Sequence, residues 1–253
     1  MMNHARSPEE ELDLALAAEL QAALLPKKCP TDCRNHVAAA RNRMCARVGG
    51  DFHDFVRINE DQTAILIGDV AGHGVRASLV MARIMGWLRG EPQARSRPLH
   101  VVADLNRMLI DLGEKTGTVT PCSIIYLVLD SPTGIAFIVN AGHPRPLLCD
   151  RDKCSALALG ARNMILGVQE FQPEETCHTF LPGERLVLYT DGITDAVNGR
   201  GEHFGQQRLH KLASEYARSG PQQVADAVFA AVDLFCGNSR QSDDQTVVVV
   251  DRV

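Results

Sequence analysis

Six short runs rich in aliphatic and β-branched residues constrain the fold most: Phe52–Ile58, Ala64–Ile67, Ser123–Leu129, Ile135–Val139, Arg185–Tyr189 and Gln245–Val250. Most are apolar throughout, as in strands buried inside a layered core. Pro132-Thr133-Gly134 joins two of them as a hairpin turn. Helical patterns fall near 74–90, 98–113, 205–218 and 221–236. The order βββααββββ…βααβ is not a strict βα alternation. It argues against a doubly wound Rossmann sheet and for an α+β architecture with antiparallel sheets.

Residues 8–25 read as a helix. Ser7 caps it, Pro8 suits its first turn, and Glu9 to Glu11 complement the positive end of the dipole. Leu12, Leu16, Leu20 and Leu24 make a stripe at i+4 spacing. The stripe packs either onto another chain, as a homodimer or activator contact, or back onto its own domain. Pro26 stops the helix, and Lys27 to Asp32 form a short linker or turn. The expected organisation is an N-terminal helix and linker over 1–30 and one catalytic domain over 31–253.

Composition excludes several classes. With 45% hydrophobic and 23% charged residues, wholesale disorder is ruled out. A net charge of −5 disfavours nucleic acid as a partner. No apolar run approaches the ~18 residues of a membrane span, and the acidic N-terminus has no signal-peptide core. The eight cysteines form no CxxC pair, so reduced thiols in a cytoplasmic protein are expected.

The informative residues are acids at strand ends. Asp51 stands in Gly49-Gly50-Asp51-Phe52. Asp69 ends one strand and opens Val70-Ala71-Gly72-His73-Gly74. Asp191 ends Leu186-Val187-Leu188-Tyr189-Thr190 and precedes Gly192. Asp243 and Asp244 precede the last strand. A carboxylate at a buried strand end costs desolvation energy unless compensated, and several together repel. A hard divalent cation resolves that repulsion, and oxygen-only ligands select Mg²⁺ or Mn²⁺ over Zn²⁺. Taken singly, each Asp-Gly pair also suits an ordinary turn.

The ordered motifs GGDFHDF, IGDVAGHG, NAGHPRPLL, LYTDGITDA and SDDQT resemble the SpoIIE/RsbU branch of the PPM (PP2C-like) serine/threonine phosphatases. The resemblance runs from about Leu12 to Val253 and includes the Leu20-Gln21-Ala22-Ala23-Leu24-Leu25-Pro26 helix end. It implies two packed antiparallel sheets with helices on both outer faces, a four-layer αββα sandwich. It implies two ions, Mn²⁺ or Mg²⁺, held by Asp51, Asp69, the Val70 carbonyl, Asp191 and Asp243. Asp69 would bridge them, and Asp244 is read as a supporting group outside the ligands. The implied reaction is phosphomonoester hydrolysis without a covalent phosphoenzyme. The implied substrate is a phosphorylated STAS-domain protein, the anti-anti-sigma factor of bacterial partner switching. Most relatives carry a sensor domain ahead of this module. With only residues 1–30 ahead of the core, regulation is expected through a partner, an oligomer or expression.

The histidines are less direct. His73 follows the bridging acid by four residues where eukaryotic relatives space it by two, so it is either a general acid or a loop-structuring group. His143 reads as shaping its turn. His53 stands where the family usually has Tyr, on the strand face opposite Phe52 and Asp54. Asp54 is either a group supporting the site or a solvated strand acid. Pro121-Cys122-Ser123 also departs from the family pattern.

Other constellations carry less. Cys29, Cys33 and His36, with Cys45 downstream, form either a non-standard zinc site or isolated thiols, the latter favoured by spacing. There is no GxSxG elbow and no P-loop. Arg83, Arg89, Arg95 and Arg97 are either a solvated helix end or part of a docking surface. Met81, Met85 and Trp87 read as core. A catalytically silent pseudophosphatase and a small-molecule phosphohydrolase remain rival readings. The presence of all four acids argues against the first.

Overall fold

The computed structural model describes residues 7–29, 35–90, 95–150, 154–157 and 163–253. The chain runs α1 (Pro8–Leu24), β1 (His36–Arg43), β2 (Asp51–Arg57), β3 (Gln62–Val70), α2 (Val75–Arg89), α3 (Pro98–Thr116), β4 (Cys122–Asp130) and β5 (Ile135–Ala141). It continues β6 (Leu147–Cys149), β7 (Cys154–Ala156), β8 (Thr176–Thr179), β9 (Arg185–Tyr189), α4 (Asp191–Thr194), α5 (Gly205–Glu215), α6 (Pro221–Cys236) and β10 (Gln245–Arg252). One five-stranded sheet has the order β1-β10-β9-β6-β7 and the other β2-β3-β4-β5-β8. All their pairings are antiparallel.

Side-chain alternation builds the layers. In β3, Ile65 and Ile67 point between the sheets toward Leu188, Val248 and Val250, while Ala64 and Leu66 face Met81, Ile84 and Leu105 of α2 and α3. In β10, Val247 and Val249 turn the other way, onto Val228 and Phe229 of α6. Both faces of each sheet are therefore covered, which explains why the strands read as continuous apolar runs. The expected αββα sandwich is present, and Met81 and Met85 lie in its core while Trp87 packs against it.

Several expectations need correction. Strand β1, HVAAARNR, was not among the expected strands. Its alanines are small, but Ala38 and Ala40 fill the inter-sheet layer against larger neighbours. The described part of the 27–32 linker is no free turn: Cys29 N–H donates to Ala38 and Ala40 N–H to Lys27, tying it to β1. The expectation of eight reduced thiols also fails. Cys149 and Cys154 are register partners of the β6–β7 hairpin and form a disulfide, with Cα atoms 4.0 Å apart. Cys45, Cys122, Cys177 and Cys236 carry no disulfide.

The first three leucines of the α1 stripe do not pack on their own domain, while Leu24 is half-buried. Leu12, Leu16 and Leu20 are 61%, 50% and 71% exposed. The helix docks through Gln21 instead, whose amide donates to the Gly49 carbonyl at 2.9 Å and accepts from Gly49 N–H at 3.1 Å. Asp54 proves not to be a solvated strand acid. It is buried against Arg89, Oδ2 to Nε 2.7 Å, and Arg89 also donates to the Leu24 carbonyl. Arg95 stacks over Trp87 at 3.4 Å, so Arg89 and Arg95 are structural. His53 faces away from Phe52, as expected, and contacts the Pro26 carbonyl through Nε2 at 2.8 Å. Among the described residues, no helix is long and apolar enough to cross a membrane.

Candidate active site

The strands deliver four acids to one edge of the sandwich. Asp51 opens β2 and Asp69 lies near the end of β3, directly opposite it in register. Asp191 follows β9 and Asp243 precedes β10, the adjacent pair of the other sheet. The two sheets are tied together there through Asp51. Its Oδ2 accepts from Thr190 Oγ1 at 2.9 Å and from Thr246 Oγ1 at 2.6 Å. Thr190 Oγ1 in turn accepts from Thr246 N–H at 2.9 Å.

The glycines at this edge allow close approach. A Cβ on Gly50 would overlap the Val70 carbonyl oxygen and lie 3.2 Å from Asp69 Oδ1. The Val70 carbonyl and the Asp69 carboxylate thus border one small cradle that only glycine leaves open. A Cβ on Gly49 would strike the Asp244 carboxylate, and one on Gly192 the Asp244 carbonyl. Asp244 is buried and accepts from Gly50 N–H at 2.7 Å and Cys45 N–H at 2.8 Å. It therefore shapes the loop that carries Asp51.

The electrostatics show buried acids pressed together, with burial and like charge outweighing the groups that oppose them. Burial raises the Asp51 carboxyl well above its ordinary range, and the Asp69 charge raises it further, against the two threonine hydroxyls. Burial and the charges of Asp191, Asp243 and Asp244 push Asp69 up to about 7. Asp191 is raised by burial and Asp195, and Asp243 by burial and its acidic neighbours, with His73 acting in the opposite direction. Such mutual repulsion is what a divalent cation relieves, and an all-oxygen donor set suits Mg²⁺ or Mn²⁺. Among the described residues, no three His, Cys, Asp or Glu side chains converge on a single point. The acids are gathered at Coulombic range along the edge rather than closed around one centre.

The histidines separate. His73 is exposed on the loop between β3 and α2, within electrostatic reach of Asp243. His143 is buried; its Nδ1 lies 2.7 Å from Ser123 Oγ, and Asn140 brackets its backbone on both sides. Ser123 is the β4 partner of Asp69, so His143 buttresses the strand behind the acids. The zinc constellation comes apart. Cys29 Sγ lies 3.7 Å from His36 Nε2, Cys45 lies beyond the opposite end of β1, and Cys33 lies outside the described residues. Sequence reading missed Thr190 and Thr246. Their signal was adjacency: each is a hydroxyl residue beside the acids of TDG and DDQT.

An αββα sandwich with an acid-lined edge defines a PP2C-like phosphatase domain. Residues 59–253 match the family model described as Stage II sporulation protein E (SpoIIE), which takes in Asp69, Asp191 and Asp243 but begins after Asp51. The chain belongs to this family, and with it to the PPM class of protein serine/threonine phosphatases. It is 24% identical to the phosphoserine phosphatase RsbU of Bacillus subtilis over 96% of this chain and 71% of that one. It is also 24% identical to the phosphoserine phosphatase RsbP of the same organism, over 81% of this chain but only 50% of RsbP. Among solved structures, the SiaA-PP2C domain of Pseudomonas aeruginosa superposes with a TM-score of 0.79 at 21% identity, covering 97% of each chain.

Proposed function

We propose that the chain is a Mn²⁺- or Mg²⁺-dependent phosphatase that removes phosphate from serine or threonine of a regulatory protein. The class of that protein follows from the resemblance: a small STAS-domain anti-anti-sigma factor of a partner-switching system acting in the cytoplasm. The observation that carries the reading is that Asp51, Asp69, Asp191 and Asp243 lie along one edge where the two sheets meet, each carboxyl raised by burial first and then by acidic neighbours. Those four carboxylates and the Val70 carbonyl would hold the two ions. Bound there, such ions supply Lewis-acid chemistry: they acidify water and neutralise phosphoryl charge.

The chain's own residues supply the rest. Thr190 and Thr246 fix the rotamer of Asp51 and so set where its free oxygen points. Gly50 leaves the cradle beside Asp69 open, and Asp244 holds the loop that positions it. His73, within electrostatic reach of Asp243, would either give a proton to a departing serine oxygen or order its loop. We divide the chain into the N-terminal helix and linker, 1–30, and the phosphatase domain, 31–253. The solvent-facing Leu12, Leu16 and Leu20 support a contact of α1 with a second copy.

Phosphate release from phosphoserine proteins, assayed with and without Mn²⁺, tests this function. Metal-dependent release supports it. Tight metal binding without release from any phosphoprotein or small ester would instead support the pseudophosphatase reading. Release from small esters alone would favour the small-molecule phosphohydrolase.

A further inference from the structure

The α2–α3 pair leaves an open groove of about 440 Å³ beside the acidic edge. One wall is a single face of α2, with Arg76, Leu79 and Arg83 at helical spacing. The other is Leu112 and Thr116 of α3 and Thr120 beyond it. The groove and the acids share a boundary. Ala71 N–H, two residues after Asp69, donates to the Pro121 carbonyl at 2.8 Å, and Thr120 precedes that proline.

Its chemistry differs from the surface around it. The whole chain carries −5, and the neighbouring edge is lined with carboxylates. Arg76 and Arg83 nevertheless have no carboxylate at ion-pair distance among the described residues. Arg76 is oriented by neutral acceptors only, Thr120 Oγ1 at 3.2 Å and the Thr118 carbonyl at 3.5 Å. Between the two cations Leu79 is 67% exposed, flanked by Val75 at 54% and Val119 at 58%. Two unpaired guanidinium groups with an exposed leucine between them match an acidic segment that carries an apolar side chain. The volume suits a few side chains of such a segment rather than a folded domain.

We propose that this groove docks the acidic, partly apolar segment flanking the phosphoserine of the protein substrate. The inference deepens the phosphatase reading and rests on it for the identity of the occupant. A substrate threading from the groove would pass Arg76 and Thr120 and reach the acids across the 118–123 segment. The groove then supplies specificity for the protein, and the edge supplies the chemistry.

Short synthetic peptides test it in two ways. In turnover, the probes are a phosphoserine peptide with glutamate and leucine flanks, the same peptide with lysine flanks, and p-nitrophenyl phosphate. The prediction is that Arg83→Glu and Leu79→Asp each lower the ratio of kcat/KM for the acidic peptide to that for p-nitrophenyl phosphate by about tenfold. Arg83→Glu also shifts preference toward the lysine peptide. In binding, fluorescence anisotropy of the labelled acidic peptide with unmodified serine reads the groove without the chemistry. Wild type binds it more tightly than either variant.

Equal ratios in wild type and both variants, or equal peptide binding by all three proteins, overturn the groove while leaving the phosphatase standing. Variant-sensitive binding with no turnover of any ester keeps the groove and overturns the phosphatase.

Discussion

Asp51 and Asp69 stand opposite each other on β2 and β3, and two threonine hydroxyls from the other sheet hold Asp51. The link matters because neither sheet alone carries all four acids. Thr246→Val keeps the side-chain shape and removes the 2.6 Å donor to Asp51. Groups that orient ligands in this way typically change metal affinity by roughly 10–100-fold when lost. The expected result is a rise of at least about tenfold in the Mn²⁺ concentration for half-maximal turnover, with kcat at saturating metal less affected. A metal titration of activity checks it.

The ion pair between buried Asp54 and the part-exposed Arg89 acts on stability. Arg89→Ala would strand a buried carboxylate and release the carbonyl of Leu24. With Arg89 more than a third exposed and screened by solvent, its loss costs about 1–2 kcal/mol. In a chain of this size that corresponds to a fall in Tm of about 2–8 °C. The double variant Asp54→Leu, Arg89→Met should recover much of the loss, because the uncompensated charge is gone. Thermal unfolding of both variants separates the outcomes.

Burial lowers the His53 imidazole to about 4 from its ordinary value of 6.5. Between those values the unfolded chain binds the proton and the folded chain does not. The stability His53 contributes is therefore fully present above pH 6.5 and is lost as pH falls to 4. The raised carboxyls at the sheet edge act in the opposite direction in metal-free protein, so the difference between two proteins is the cleaner reading. His53→Phe should gain on wild type as the pH falls through that window, by up to about 3 kcal/mol. Urea unfolding of both proteins at several pH values measures it; a constant difference would contradict the buried neutral imidazole.

The exposed stripe on α1 bears on assembly. If Leu12, Leu16 and Leu20 cover one another across two copies, replacing all three with glutamate leaves a monomer that still folds, because Gln21 and not the stripe docks the helix. Light scattering of both proteins decides it. Identical masses would remove the dimer.

Much of this fold was legible because its strands are buried on both faces, so runs such as Ile65-Leu66-Ile67 announce themselves without a period. The family resemblance rested on acids that strand ends present in order, and the SpoIIE match bears it out. Strand β1 was hidden because Ala38 and Ala40 suit the narrow space between sheets but carry no β signal of their own. The disulfide was hidden because β6 and β7 are only three residues each, too short for a hairpin pattern to pair Cys149 with Cys154. The threonines that hold Asp51 come from positions 190 and 246, and only the meeting of the two sheets brings them together. Asp54 escaped because a strand acid gives no sign of an arginine thirty-five residues away.

The central claim is that acids from both sheets act together on a metal-dependent hydrolysis. Its most direct test is p-nitrophenyl phosphate turnover by purified protein with and without Mn²⁺, beside Asp69→Asn and Asp191→Asn. The account predicts turnover that requires the metal and is lost in both variants. Metal-independent turnover, or turnover that survives in both variants, would contradict it.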